Sequence, residues 1–169
     1  MDTDLTCRPG VEEITPDYWI IPDRRLIQEF SARGIPEEKL LPLGIPTNPA
    51  MACHVDSAVA RRQLHLPQTG RMVLVMSGSI GCGPVTALAL KLLRRLPRDT
   101  FVVVVCGKNK SKFRELQRYA RFREKLYPVG FTDRMDLFLS AADIAVTKPG
   151  GLSCTELAQN GVPAVLMLS

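Results

Sequence analysis

The sequence predicts an α/β protein built on a doubly wound parallel sheet. Short apolar runs alternate with helical patterns from Met72 onward, and strands that alternate with helices favour a parallel sheet. These runs are apolar at nearly every position rather than at every second one. Because that pattern is typical of strands buried on both faces, we expect helices to cover both sides of the sheet.

Each element of this sheet has its own sequence signal. A β-branched run at residues 101–106 is typical of a buried strand, and Pro84 suits the first position of a helix. The charged segment 111–125 has Phe113, Leu116 and Ala120 on one helical face, and Gly161 ends the last helix. The predicted strands span residues 72–76, 101–106, 126–131, 143–147 and 164–168, and the predicted helices span residues 84–96, 111–125, 135–142 and 153–160.

Residues before about position 71 follow a different pattern. Eight prolines separate short segments, of which residues 18–21 and 40–43 suit strands and residues 24–33 suit a helix that Gly34 ends. We interpret residues 1–70 as a connecting region without a core of its own. Residues 71–169 then form the sheet domain.

Composition limits the classes of protein. The chain has 169 residues, of which 46% are apolar, enough for an ordinary domain core. No apolar run reaches the roughly 18 residues of a membrane span, and the first residues lack the pattern of a signal peptide. Five scattered cysteines without a C-x-x-C pair favour reduced thiols in a cytoplasmic protein over disulfides or a zinc site.

No catalytic or metal-binding cluster stands out. The D-x-D match at residues 2–4 lies at a terminus without a neighbouring strand, so we attribute it to chance and expect no metal. The two histidines, His54 and His65, stand near no plausible nucleophile. The catalytic residues are therefore unknown from the sequence.

Positive charge is concentrated in one segment. The net charge is +5, and residues 108–125 contain eight lysines and arginines against two glutamates. A basic helix can bind anionic lipid headgroups or nucleic acid, and it can equally form a solvated outer face. No recognised nucleic-acid motif accompanies it, so nucleic acid is not an expected partner, and an anionic membrane surface and a solvated outer face remain the two alternatives.

Two glycine turns follow predicted strands. Residues 77–83 contain Gly78, Gly81 and Gly83 and lead into the helix at Pro84, where free backbone N–H groups can bind an anion. They match neither G-x-G-x-x-G nor a P-loop, so a tight turn without a ligand is the alternative. The other turn, at residues 148–156, has Gly150 and Gly151, which let the backbone approach a ligand closely.

Two further side chains are candidates at the same edge of the sheet. Glu156, on the helix after the second turn, can reach ribose hydroxyls. The S-x-x-E spacing of Ser153 and Glu156 also fits a capping box, in which Glu156 would only bind backbone. Phe131 follows a strand and can pack beside a base, although a core aromatic at a strand end is the alternative.

These motifs occur together in the order found in one enzyme family. The sequence resembles monogalactosyldiacylglycerol synthases and processive diacylglycerol glucosyltransferases, relatives of MurG with the two-domain GT-B fold. The matching pieces are Thr3-Asp4, Asp17-Tyr18, Gly34-Ile35-Pro36, Gly44-Ile45-Pro46, residues 76–81, Val105-Cys106-Gly107-Lys108-Asn109, Val129-Gly130-Phe131, Met135, Asp143 and residues 148–156. The resemblance implies a Rossmann-like C-terminal domain that binds the donor.

The resemblance also implies a UDP-sugar site with assigned residues and no metal or other cofactor. The diphosphate would face Gly78, Ser79 and Gly81, and it would be lined by Gly150, Gly151, Leu152 and Ser153. Phe131 would offer its backbone to the uracil with Met135 close by, and Glu156 would bind the ribose.

The implied reaction is the transfer of a hexosyl group, with inversion, from UDP-hexose to a diacylglycerol-type lipid. The enzyme would be peripheral at the inner, cytoplasmic face of the membrane. Residues 1 to about 13 would be the end of the acceptor domain, which supplies the general base in this family, and the P-G-Q-E-x-N element is absent from the sequence. A truncated donor domain with little or no transfer activity is therefore expected. Transfer to another acceptor, such as a cell-wall precursor, and a non-catalytic nucleotide-binding module remain the alternatives.

Overall fold

The computed structural model describes residues 6–52, 55–76 and 84–167. These residues form two compact units. The first contains the described residues up to Asn48 together with Gly150–Thr155, and the second contains those of Pro49–Pro149 and of residues 156–167. The unit that holds the sheet therefore begins at Pro49, earlier than the boundary predicted at residue 71.

The first unit is small but has a core. Strand β1 (Trp19–Ile20) pairs in parallel with β2 (Leu40–Leu41), and helix α1 (Ile27–Ser31) lies between them in sequence. Trp19 and Phe30 pack edge to face with their ring centroids 6.0 Å apart. The buried residues of this core are Cys7, Val11, Trp19, Ile21, Leu26, Phe30, Ile35 and Leu40. The prediction that this region has no core of its own is therefore wrong. The core was missed because these apolar residues are spread over short segments without a sustained helical or strand periodicity.

The second unit begins with helix α2 (Ser57–Gln63), which the sequence pattern did not reveal. The side chain of Asp56 caps it by accepting hydrogen bonds from the N–H groups of Ala58 and Val59. The strands that follow are β3 (Arg71–Met76), β4 (Thr100–Val105), β5 (Leu126–Val129), β6 (Ile144–Thr147) and β7 (Ala164–Leu166). The helices are α3 (Val85–Arg95), α4 (Lys110–Ala120), α5 (Met135–Ala141) and α6 (Gly151–Gln159).

The five longer strands form one parallel sheet in the order β5-β4-β3-β6-β7. The chain moves outward from β3 to β4 and β5, and then places β6 on the other side of β3. The predicted α/β class with a doubly wound parallel sheet is thus confirmed. In β4, Phe101, Val103 and Val105 pack into one core cluster, whereas Val102 and Val104 pack into another on the opposite face.

The two faces of the sheet carry different helices. Residues of α5 and Leu157 of α6 belong to the first cluster, and residues of α3 and α4 belong to the second. Helices therefore cover both faces, as the continuous apolar runs predicted. No helix in the described ranges has the length and apolar character needed to cross a membrane.

Two helices differ from their predicted bounds by two residues or more at one end. Helix α4 ends at Ala120 rather than Lys125, because the chain must turn before Leu126 pairs with Val102 in the sheet. The turn is closed by a hydrogen bond from the N–H of Leu126 to the carbonyl of Arg123 at 2.9 Å. Helix α6 begins at Gly151 rather than Ser153, which changes the interpretation of its first turn.

Candidate functional site

The carboxyl ends of β3 and β6 lie side by side. Val75 is opposite Val146 in the parallel register, so β3 ends at Met76 and β6 at Thr147 on the same edge of the sheet. The strand order reverses between these two strands. In open parallel sheets, the crevice outside such a reversal is where ligands bind. Both predicted glycine turns therefore start from this edge. Gly78, Ser79 and Gly81 themselves lie outside the described residues.

The neighbouring strands β4 and β5 end at this edge as well, with Val105 opposite Val129. Lys108 follows the first strand and Phe131 the second. The ammonium nitrogen of Lys108 lies 5.9 Å from the centroid of the Phe131 ring, a cation–π distance. Phe131 is 70% exposed, so the alternative of a core aromatic is wrong.

The turn after Phe131 is fixed locally. The hydroxyl of Thr132 accepts a hydrogen bond from the N–H of Arg134 at 3.0 Å. Helix α5 then begins at Met135, whose partly buried side chain packs against the core cluster of that face. The turn thus holds the ring of Phe131 in solvent beside Lys108, while Met135 anchors the start of the helix. Lys108 was part of the sequence resemblance but was not assigned a role there.

Helix α6 opens with groups that can bind an anion. The bond from the N–H of Cys154 to the carbonyl of Gly150, at 2.9 Å, closes its first turn. Helix geometry leaves the N–H groups of Gly151, Leu152 and Ser153 without an intrahelical acceptor. These free donors and the positive end of the helix dipole favour a negatively charged group.

The helix start also decides between the two interpretations of Glu156. A capping box needs its serine at the N-cap position, before the first helical residue. Ser153 lies inside the first turn, two positions after Gly151, so the capping-box interpretation is wrong. Among the described residues, none donates a hydrogen bond to the Glu156 carboxylate or forms an ion pair with it.

Glu156 is half-buried, and this burial raises the pKa of its carboxyl group above the usual value of 4.5. Its backbone is held in place by Asn160. The Asn160 amide donates from Nδ2 to the carbonyl oxygens of Glu156 at 2.9 Å and of Met51 at 3.0 Å. Asn160 is buried and was not singled out by the sequence. A carboxylate that is partly desolvated, that no described residue pairs and whose backbone is anchored is suited to accept hydrogen bonds from a ligand.

Other reactive groups fit this edge less well. Burial raises the pKa of the Cys106 thiol to about 11, which argues against this residue as a nucleophile at neutral pH. In the described part of the chain, no three His, Cys, Asp or Glu side chains are grouped so that they could hold a metal ion. Among the described residues, the candidates for ligand binding are therefore the free N–H groups at the start of α6, the half-buried carboxylate of Glu156 and, separately, the pair of Lys108 and Phe131.

Comparison with known proteins identifies the family of the sheet domain. Residues 72–169 match the glycosyltransferase family 28 C-terminal domain. The chain is 27% identical over 157 residues to the processive diacylglycerol beta-glucosyltransferase of Staphylococcus saprophyticus, covering 91% of this chain and 40% of that enzyme. It is 32% identical over 135 residues to the UDP-N-acetylglucosamine--N-acetylmuramyl-(pentapeptide) pyrophosphoryl-undecaprenol N-acetylglucosamine transferase of Salinibacter ruber, covering 80% and 36% respectively.

A solved structure supports the fold. The structure of S. aureus MnaA with UDP superposes with a TM-score of 0.64 at 17% identity, over 90% of this chain and 42% of that protein. At that identity the likeness concerns the fold alone. The chain spans about two-fifths of the length of the curated relatives it matches.

Proposed function

Because the chain belongs to the glycosyltransferase family 28 C-terminal domain family, we propose that it binds the donor of a GT-B hexosyltransferase. The donor is a UDP-hexose, and the sugar is transferred with inversion to a diacylglycerol-type lipid. The observation that carries this proposal is the parallel pairing of β3 with β6, whose carboxyl ends lie at one edge of the sheet, together with Glu156 on the helix that follows β6, which is half-buried and which no described residue pairs. The name of the S. saprophyticus relative supports the lipid acceptor.

The chemistry requires a group that stabilises the departing nucleotide. When the acceptor oxygen attacks the anomeric carbon, the bond to the phosphate oxygen breaks and negative charge develops on the diphosphate of UDP. The free N–H groups at the start of α6 are suited to stabilise that charge, with the turn at Gly78, Ser79 and Gly81 as the second contributor. We propose no general base from these residues, and no metal takes part in the proposed donor site.

Recognition of the nucleoside is assigned to the remaining residues. The Glu156 carboxylate accepts hydrogen bonds from the ribose hydroxyls, and the backbone at Phe131 contacts the uracil, with Met135 close by. The UDP bound by S. aureus MnaA, a protein of similar fold, is consistent with a uridine nucleotide as the ligand. A lipid acceptor would place the enzyme at an anionic membrane surface, as a peripheral protein on the cytoplasmic side.

The Salinibacter ruber relative favours a second candidate. Its name specifies UDP-N-acetylglucosamine as donor and a cell-wall precursor as acceptor, and its identity to this chain is higher although its coverage is lower. The two candidates use the same proposed donor site and differ in the sugar and in the acceptor. Comparing the affinities of UDP-glucose and UDP-N-acetylglucosamine separates them, since the preferred donor indicates which reaction the site serves.

Calorimetric titration of the chain with UDP tests the donor site. We expect UDP to bind and ADP to bind far more weakly. Glu156→Gln should weaken UDP binding by roughly 1–3 kcal/mol, the scale of a lost hydrogen bond to a charged group. Glu38→Gln is the matched control, because Glu38 is exposed and is not among the residues assigned to the donor site, so the affinity should stay unchanged.

Two outcomes would contradict the proposal. Equal affinity for UDP and ADP would exclude a uridine-specific site. A Glu156→Gln protein with full UDP affinity would exclude the ribose role of that carboxylate. Turnover of UDP-glucose with diacylglycerol by these 169 residues tests the separate expectation that this part of the enzyme has little or no transfer activity alone.

A further inference from the structure

An exposed phenylalanine stands among basic residues at the amino edge of the sheet. Phe122 is 84% exposed, more than any other large apolar residue that the structure describes. It lies in the short segment between the end of α4 at Ala120 and the start of β5 at Leu126. In a parallel sheet this segment is at the edge opposite to the one where Lys108 and Phe131 lie.

A cavity of about 440 Å³ opens beside this phenylalanine. Leu90 and Leu93 of α3 provide its apolar lining, and both are half-buried. Four cationic side chains surround it against the single carboxylate of Glu124. They are Arg94, Arg121, Arg123 and Lys125, which together with Phe122, Leu90 and Leu93 we call the Phe122 patch.

The backbone of the patch is held by hydrogen bonds on both sides. The N–H of Phe122 donates to Tyr119 at 3.0 Å, and that of Arg123 donates to Ala120 at 3.2 Å. The carbonyl of Lys125 accepts from Val102 of β4 at 2.8 Å, which ties the segment to the sheet. Phe122 is therefore exposed on an ordered turn, so little conformational entropy opposes its insertion into another phase.

From this combination we infer that the Phe122 patch docks the protein on an anionic lipid bilayer. An aromatic ring that enters the headgroup region removes apolar surface from water, while arginines and lysines around it bind lipid phosphates. Single exposed apolar residues are ordinary. What distinguishes Phe122 is the ring of cations around an apolar lining. The sequence indicated the whole basic segment 108–125 as a candidate membrane contact. The structure restricts the proposed contact to residues 121–125 together with Arg94.

The patch fits a bilayer better than a nucleic acid. Proteins that bind single strands stack successive bases on several aromatic side chains, whereas Phe122 is the one aromatic among the described residues that line this cavity. Two half-buried leucines also suit acyl chains rather than phosphodiester backbone. The inference deepens the proposed function and rests on it for the lipid acceptor, because it names the surface that would bring the enzyme to its substrate.

Vesicle co-sedimentation of the 169-residue chain tests this docking surface. Vesicles of phosphatidylcholine with about a third phosphatidylglycerol should bind the protein, vesicles of phosphatidylcholine alone should bind far less, and high salt should weaken binding. Phe122→Ser should lower the partition roughly tenfold or more, the scale of one inserted aromatic side chain. Arg121→Gln with Arg123→Gln should lower it roughly twentyfold, several-fold per cation.

Matched control variants show whether vesicle binding depends on the Phe122 patch or only on the total positive charge of the protein. Arg24→Gln with Arg62→Gln removes two exposed arginines elsewhere and should change vesicle binding much less than the patch variant. Phe131→Ser removes another exposed phenylalanine, at the opposite edge of the sheet, and should leave vesicle binding near that of the parent. UDP binding of Phe122→Ser should equal that of the parent, so a failure of the donor site and a failure of the docking surface give different results.

Three results would overturn the inference. One is equal binding to neutral and anionic vesicles. Another is vesicle binding that falls as much in Arg24→Gln with Arg62→Gln as in Arg121→Gln with Arg123→Gln, or that is unchanged in Phe122→Ser. The third is tighter binding to a single-stranded oligonucleotide through the same patch residues, which would assign the surface to nucleic acid.

Discussion

Arg61 and Asp143 form an ion pair at the amino edge of the sheet, with Nη2 of the arginine 2.8 Å from Oδ2 of the aspartate. The guanidinium is almost fully buried and also donates to the carbonyls of Ala141 at 3.2 Å and Gly70 at 2.9 Å. Oδ2 of Asp143 further accepts from the N–H of Met72 at 2.6 Å. One arginine on α2 thus joins the end of α5 to the start of β3 and the residue before β6.

Replacement of Arg61 should therefore destabilise the sheet unit. Arg61→Met keeps most of the side-chain volume but removes the guanidinium that donates to two carbonyls and to the Asp143 carboxylate, at a cost of about 2–3 kcal/mol. Asp143 is half-exposed and can recover some hydration, which keeps the loss below that of a fully buried pair. Arg62→Met, at the exposed neighbour on the same helix, should cost less than about 0.5 kcal/mol. Equal urea midpoints for the two variants would show that the pair contributes no stability.

Gly70, whose carbonyl oxygen accepts a hydrogen bond from Arg61, is also constrained by its backbone conformation and by a close backbone neighbour. Its φ is +87°, and a Cβ added there would lie 2.2 Å from the carbonyl oxygen of Asp99. Gly70→Ala should cost at least about 2–3 kcal/mol, because both the left-handed conformation and the backbone contact oppose it. Gly161→Ala is the control: its φ is +65° and the added Cβ would meet nothing within 4 Å. A loss of only about 1 kcal/mol is expected there, and equal losses in urea unfolding would argue against the contact.

The sheet was predictable because its strands carry a strong local signal. The β-branched run around Val102–Val105 strongly favours a buried strand. The observed bounds of that strand, Thr100–Val105, differ from the prediction by one residue at each end. Strand alternation with helices then fixed the parallel arrangement. By contrast, α2 escaped prediction although Asp56 caps it, because seven residues with two adjacent arginines show no long apolar face.

The position of the candidate site on the sheet could be inferred from the sequence, but the contacts of its residues could not. Two glycine turns after strands indicated an anion site, since that inference needs only the chain order and the parallel sheet. The capping-box alternative for Ser153 and Glu156 was wrong because Gly151, which looks like a turn residue, is the first residue of α6. The contact of Lys108 with Phe131 and the bond from Asn160 to the carbonyl of Met51 join distant segments, and no local pattern reports such contacts.

The raised pKa of Glu156 leads to a pH dependence of donor binding. The form that accepts bonds from ribose hydroxyls is the carboxylate, and burial raises the pKa of this group in the free protein. Affinity for UDP-glucose should therefore be constant near pH 8 and fall as the pH decreases toward that raised pKa. UDP-glucose is the suitable probe because its diphosphate has no second ionisation in this range. Glu156→Gln should bind more weakly but with a flat profile.

The raised pKa of Glu156 also makes the stability of the free protein depend on pH, in the direction opposite to that of donor binding. A folded-state pKa above the unfolded value stabilises the fold below the unfolded pKa, and this contribution is lost as pH rises through the folded pKa. At neutral pH the charged, half-buried Glu156 therefore opposes folding, and Glu156→Gln should be at least as stable as the parent. Lower stability of this variant at pH 7, together with an unchanged pH profile for UDP-glucose, would mean that the carboxylate supports the fold. Greater stability with weaker binding is what a residue kept for its ligand should give.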